Sequence, residues 1–137
     1  MEKYKFIEDL TSDVLFEAYG KDLKQLFENS AAALSSVVCD IEKVEKQKSF
    51  SVELHSESVE DLMINWLQEI IALVDIEEIF LSGFEISEID EKHLKANLYG
   101  EPISPEKAGV VVKGVTYYKL KVEKTKDSLK ATVSLDI

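Results

Sequence analysis

The apolar residues of this 137-residue chain recur with two periods, one typical of strands and the other of helices. Alternation of apolar and polar side chains is the pattern of a strand that turns one face to a core. The strands that this pattern predicts are Tyr4–Ile7, 14–19, a strand through Phe50, Val52 and Leu54, Ile79–Ile89, 93–99, 110–122 and 129–137. Gly20, the polar turn at 90–92 and the turn at 124–128 separate neighbouring strands.

Two other stretches place apolar residues three and four positions apart and therefore predict helices. The first begins after Asp22, and its apolar face consists of Leu23, Leu26, Phe27, Leu34 and Val37 or Val38. The second has Ser58 as its N-cap, with Glu60 and Asp61 in the first turn, where the helix dipole favours acids. Its apolar stripe consists of Leu62, Trp66, Ile70 and Leu73, widened by Met63, Leu67 and Ile71.

The order β-β-α-β-α-β-β-β-β predicts an α+β fold, in which two helices pack on one face of an antiparallel or mixed β-sheet. The chain is 45% hydrophobic, and its length suffices for one domain with a core but is short for two. No linker, repeat or low-complexity segment interrupts it. We therefore expect a single two-layer domain over residues 1–137.

The formal net charge of −11 argues against two classes of partner. Nucleic-acid binders carry a basic surface that neutralises phosphates, and no basic stripe is visible in this sequence. An anionic membrane surface is disfavoured for the same reason. No apolar stretch approaches the length of a membrane span, and no signal peptide is apparent, so we expect a cytoplasmic protein. The single Cys39 is expected to be a small buried hydrophobe.

Few residues remain as candidates for chemistry, because phosphate loops, paired-histidine zinc motifs and nucleophile elbows are all absent. His55 and His93 lie in predicted strands among polar neighbours, so we expect them to face solvent. Three features are left: Asp13 before an apolar strand, Lys113 within another, and Asp136 at the end of the chain. Each is ordinary by itself, since an aspartate before a strand usually forms a turn.

The last strand is unusual because its alternation continues to the final residue. Val133, Leu135 and Ile137 alternate with polar neighbours, whereas terminal residues are seldom held down. If Ile137 docks on the core, the Asp136 side chain and the main-chain carboxylate of Ile137 are held together. The sequence thus suggests an acidic site at this point.

Six segments, in order along the chain, resemble motifs of the archease family. They are 8–20 (EDLTSDVLFEAYG), the helix with Leu23, Phe27, Asn29 and Ala31, 65–69 (NWLQE), 99–101 (YGE), 113–117 (KGVTY) and 135–137 (LDI). The resemblance covers almost the whole chain. It implies a small α+β protein that activates the GTP-dependent tRNA-splicing RNA ligase of RtcB type. Archeases are protein cofactors, not enzymes: they promote guanylylation of a ligase histidine, support multiple turnover and broaden nucleotide use.

The resemblance also implies a divalent-metal site formed by Asp13, Asp136 and the Ile137 carboxylate, with calcium as the expected ion and magnesium as the second choice. Lys113 takes the place of a functionally important family lysine. Two carboxylates about 5 Å apart repel by roughly 3 kcal/mol at an effective dielectric of about 20. A cation would relieve that repulsion, and oxygen ligands favour calcium or magnesium over soft metals.

The chain departs from the family pattern at two positions where archeases carry histidine, since it has Leu10 and Tyr118 there. The loop between Pro105 and Val110 is also short. Two other functions stay open on the residues alone. One is a general chaperone-like interaction module that uses Trp66, the apolar strands and the acidic surface. The other is a metal-dependent hydrolase, which has the acids but no second acid/base group at a recognisable spacing.

Overall fold

The computed structural model describes residues 2–8 and 13–137, which form two long helices and two antiparallel sheets. The elements are β1 (Tyr4–Ile7), β2 (Val14–Gly20), α1 (Leu23–Val38), β3 (Lys48–His55), α2 (Val59–Glu77), β4 (Ile79–Ile89), β5 (His93–Pro102), β6 (Gly114–Lys124) and β7 (Leu129–Asp136). Short 3-10 turns lie at Ile41–Lys43 and Pro105–Lys107. Neither long helix is both long and apolar enough to cross a bilayer, within the residues described.

The predicted α+β class is confirmed, and the strands divide between two sheets. One sheet has four strands in the order β1-β2-β7-β6, and the other has three in the order β3-β5-β4. Every pairing is antiparallel. Both sheets and both helices contribute side chains to one continuous hydrophobic core. The four-stranded sheet joins the two ends of the chain, because β2 and β7 are neighbours.

Both helices begin at the predicted caps. The side chain of Asp22 accepts a hydrogen bond from the Gln25 amide, and that of Ser58 accepts one from the Asp61 amide. The fully buried Trp66 of α2 donates from Nε1 to the Phe27 carbonyl of α1 at 2.9 Å. This bond ties the two helices together at the centre of the core.

The predicted strand over 110–122 begins later than expected, at Gly114. The segment before it runs along the end of α1, where the amides of Gly109 and Val110 donate to the carbonyls of Val38 and Val37. A helix end leaves such carbonyls without partners inside the helix. These amides therefore satisfy the end of α1 and do not extend a sheet, although the apolar run 110–112 resembles a buried strand.

Candidate functional site

The start of β2, the start of β6 and the end of β7 lie side by side at one end of the four-stranded sheet, which is called the strand-end edge here. Val14 of β2 pairs with Leu135 of β7, and Gly114 of β6 pairs with Asp136. Asp13 directly precedes Val14 and Asp136 directly follows Leu135, so both lie next to this last pair of β2 and β7. The Ser134 hydroxyl also lies 3.5 Å from Asp13 Oδ2, as a donor to this carboxylate. Residues more than a hundred positions apart therefore share one end of the sheet.

Lys113 belongs to the same edge. Its amide donates to the Asp136 carbonyl at 2.7 Å, which holds the backbones of the two residues side by side. Val112, just before it, is buried and anchors the segment on the core, while Lys113 itself is exposed. The structure thus brings Asp13, Lys113 and Asp136 together, as three features that were separate in the sequence.

Ile137 does not dock on the core as its alternation suggested. Its side chain is 38% exposed, whereas Leu135 is fully buried. β7 ends at Asp136, opposite the first residue of β6, and within residues 2–8 and 13–137 no strand is paired with Ile137. Leu135 is therefore the residue that anchors this end of the chain, and Asp136 and Ile137 project beyond it.

The groups at this edge are chemically suited to a hard cation. The Asp13 side chain is half-buried and Asp136 is exposed, and both offer carboxylate oxygens. An open groove of about 570 Å³ lies beside Asp13, and its lining includes the further acid Glu8. Sequence reasoning had not singled out Glu8. Residues 9–12, which include the Leu10 position, lie outside the described part of the chain.

A second cluster lies on the exposed face of the three-stranded sheet. His55 of β3 pairs directly with His93 of β5, and their ring centroids are 4.6 Å apart. Glu53, two residues before His55 on the same face, has Oε2 at 2.8 Å from His93 Nε2 and 3.9 Å from His55 Nε2. One ligand atom from each of these residues lies within 4.8 Å of the others, so the group could hold a metal ion.

The His93 hydrogen bond is the main reason why the pKa of Glu53 lies below its ordinary value. Both histidines are expected from the sequence to face solvent; the His55 side chain is 73% exposed, whereas that of His93 is only 25% exposed. The cluster itself was missed. The only signal was the spacing of Glu53 and His55, which puts both on one face of a strand. Without the β3–β5 register, His93 could not be added.

Several segments that resembled family motifs have architectural roles. Asn29 donates to the Tyr19 carbonyl at 2.7 Å, and Asn65 donates to the Ser56 hydroxyl at 2.7 Å. A Cβ added at Gly100 would lie 1.9 Å from the Phe80 carbonyl oxygen, so this position requires glycine.

The adjacent Glu101 is buried, and its carboxylate accepts hydrogen bonds from Lys107 Nζ and Gln47 Nε2. The bond to Glu101 raises the pKa of Lys107. A buried carboxylate needs such partners. The Gly-Glu pair is therefore explained by packing and charge compensation inside the fold.

The family model and the similar proteins all point to the same protein family. The model of the archease protein family matches residues 4–137. The protein archease of Methanosarcina acetivorans is 39% identical over 142 aligned residues, which cover 99% of this chain and 97% of the relative. That of Methanothermobacter thermautotrophicus is 36% identical, with 100% of both chains covered.

Solved structures agree with the fold. The solution structure of Methanobacterium thermoautotrophicum protein 1598 matches with a TM-score of 0.84 and 35% identity, and 100% of both chains is covered. A Thermotoga maritima crystal structure, described as an archease and possible chaperone, matches with a TM-score of 0.70. The second match covers 96% of this chain and 95% of that one at 20% identity, so it supports the fold alone. The family model and the full-length relatives together show that this chain belongs to the archease protein family.

Proposed function

We propose that this chain is a protein cofactor of a GTP-dependent tRNA-splicing RNA ligase of RtcB type and accelerates guanylylation of that ligase. The observation that carries the proposal is the meeting of Asp13, Lys113 and Asp136 at one edge of the four-stranded sheet. In the archease resemblance, these are the positions that serve activation. The acidic charge of the chain favours a basic or metal-rich protein surface over RNA as the contact.

The same edge is the proposed binding site for a divalent cation. Asp13, Asp136 and the carboxylate of Ile137 supply hard oxygen ligands, which favour calcium, with magnesium second. The cation would neutralise carboxylates that otherwise repel one another. The exposed Lys113 amine beside them is available to donate to a phosphate or to a carboxylate of the ligase.

The test is a guanylylation assay with the purified ligase and labelled GTP. Wild-type protein is expected to increase the rate of ligase guanylylation, and Asp13→Asn or Lys113→Ala is expected to abolish most of that increase. Matched controls are Asp127→Asn and Lys126→Ala, which remove the same charges from the β6–β7 turn at the other end of the hairpin. Equal ligase rates with and without saturating wild-type protein would refute the proposal.

A second function, general chaperone activity, is favoured by one feature of the surface. A groove of about 210 Å³ is lined almost entirely by apolar side chains, and two of them, Val110 and Val111, are exposed. A chaperone would suppress aggregation of unrelated unfolded proteins, and Val111→Asp would weaken that effect while Asp13→Asn would not. Ligase activation is expected to show the opposite dependence on these two substitutions.

A further inference from the structure

The cluster of Glu53, His55 and His93 lies on a different sheet from the strand-end site and has a different ligand chemistry. It presents two imidazoles and one carboxylate, whereas the strand-end edge presents oxygen atoms. Imidazole nitrogen is a preferred ligand of Zn²⁺, Ni²⁺ and Cu²⁺ and a poor one for calcium. The two locations are therefore suited to different classes of metal.

We propose that Glu53, His55 and His93 bind a borderline divalent cation of the Zn²⁺ type, with solvent completing its coordination. Ligand atoms around a tetrahedral zinc ion, with bonds of about 2.1 Å, are about 3.4 Å from one another. The distances from Glu53 Oε2 to the two Nε2 atoms, 2.8 and 3.9 Å, lie on either side of that value. All three ligand atoms lie within 4.8 Å of one another, close to the spacing that one ion requires.

The backbone holds the cluster in place before any ion binds. His55 and His93 are directly opposed in the β3–β5 ladder, where facing side chains lie about 5 Å apart. The neighbouring residues Val52 and Leu94 point the other way and are buried, which fixes the face that the ligands occupy. The ligand residues are thus positioned by the core and not by a mobile loop.

The exposure of the cluster determines what kind of metal site it would be. The side chains of His55 and Glu53 are 73% and 54% exposed, while that of His93 is 25% exposed. An ion held there reaches water on its outer side and keeps a free coordination position, as three-ligand zinc sites do. It would also link β3, an edge strand, to β5.

One nearby charge opposes the ion and offers a sensitive test. Lys95 is the residue opposite Glu53 in the ladder, on the same exposed face. Its positive charge repels a cation bound by Glu53. Lys95→Gln is therefore expected to tighten Zn²⁺ binding several-fold, an increase that damage to the fold would not produce.

The experiment is calorimetric titration of the full chain with Zn²⁺ alone, and separately with Ca²⁺ alone. One equivalent of Zn²⁺ is expected to bind. His55→Ala and His93→Ala should each lower the affinity for Zn²⁺ by more than about 100-fold, because mutating residues that only support the ligands already lowers metal affinity by about 10- to 100-fold. Asp13→Asn and Cys39→Ser serve as controls that retain Zn²⁺. Substitution by Co²⁺ should give the visible absorption of tetrahedral coordination in wild type and in the two controls, but not in His55→Ala or His93→Ala.

Several results would overturn the assignment. These are the absence of Zn²⁺ binding, undiminished affinity in His93→Ala, loss of Zn²⁺ in Asp13→Asn, or no change in Lys95→Gln. Because His55, His93 and Lys95 lie on the exposed face of the three-stranded sheet, circular dichroism of their variants is expected to match that of wild type. Failure of Zn²⁺ binding would leave ligase activation untouched, since the two proposals rest on different residues.

Discussion

Gly100 shows how one residue is determined by its neighbours in space. It lies in β5 opposite Leu81 of β4, next to a register shift, and the Phe80 carbonyl approaches it closely. Any Cβ at this position would overlap that oxygen. The glycine is needed for space and not for backbone freedom, because no glycine in the described residues has a positive φ.

Gly100→Ala is therefore expected to destabilise the protein by about 1–3 kcal/mol or more, because the backbone of β4 would have to move. The measurement is urea denaturation followed by circular dichroism. Gly114→Ala is the matched control, since its Cβ would meet only the Gln68 side chain, at 3.6 Å. Equal denaturation midpoints for the two variants would contradict this account.

At the scale of elements, β1, β2 and β7 are linked on their outer face by a polar network around Glu17. Its carboxylate accepts from the Tyr19 hydroxyl at 2.8 Å and lies 3.5 Å from Lys130 Nζ and 3.8 Å from Lys5 Nζ. The Tyr19 hydrogen bond is the largest cause that lowers the pKa of Glu17, followed by Lys130 and Lys5, while partial burial opposes them.

This network predicts a pH-dependent contribution to stability. Because the folded protein lowers the pKa of Glu17, ionised Glu17 stabilises the fold above its unfolded pKa of about 4.3, and the contribution disappears as pH falls through the folded value. Glu17→Gln is expected to be less stable than wild type at pH 7, and the gap should close in acid. Thermal unfolding of both proteins from pH 7 to pH 3 measures it. A stability difference between wild type and Glu17→Gln that widens in acid would contradict the lowered pKa of Glu17.

The segment 108–113 is the element where local pattern and structure differ most. Its apolar run 110–112 resembles a buried strand, yet the amides of Gly109 and Val110 bond to the end of α1. A Cβ at Gly109 would lie 2.4 Å from the Val37 carbonyl oxygen, so the close contact with α1 depends on this glycine. After this contact the chain reaches Lys113, whose amide donates to the Asp136 carbonyl at the end of the four-stranded sheet.

On the scale of the whole molecule, β2 and β7 bring both ends of the chain into one sheet. A cation shared by Asp13 and Asp136 would add a cross-link between residues far apart in sequence. Binding to the folded state alone raises its stability by an amount set by the ligand concentration relative to Kd.

Calcium is accordingly expected to stabilise the wild-type protein by about 2.7 kcal/mol at 100 times Kd, and a chelator should reverse the effect. Asp136→Asn should remove most of the shift in Tm, whereas Asp127→Asn should retain it. Differential scanning calorimetry with and without calcium provides the measurement. An unchanged Tm in saturating calcium would rule out this site, while a zinc-dependent shift would still report on the cluster around His93.

Much of the fold was predictable because it depends on residues close together in sequence. The caps at Asp22 and Ser58 and the apolar stripe around Trp66 follow from spacings of three or four residues. Strand alternation likewise identified most of β4 and β7. Asp13 and Asp136 were also named from the sequence and its archease resemblance; β2 and β7 place them near each other, while their role as a site stays a prediction.

What the sequence by itself determined is thus the set of elements, their order and the family to which the chain is related. Tertiary structure alone decided the division into two sheets, the exposure of Ile137, the path of 108–113 and the grouping of Glu53 with two histidines. These outcomes depend on strand register and on contacts between distant segments. Alternation specifies which face a side chain occupies, but many registers satisfy it equally well until the strands pack on one core.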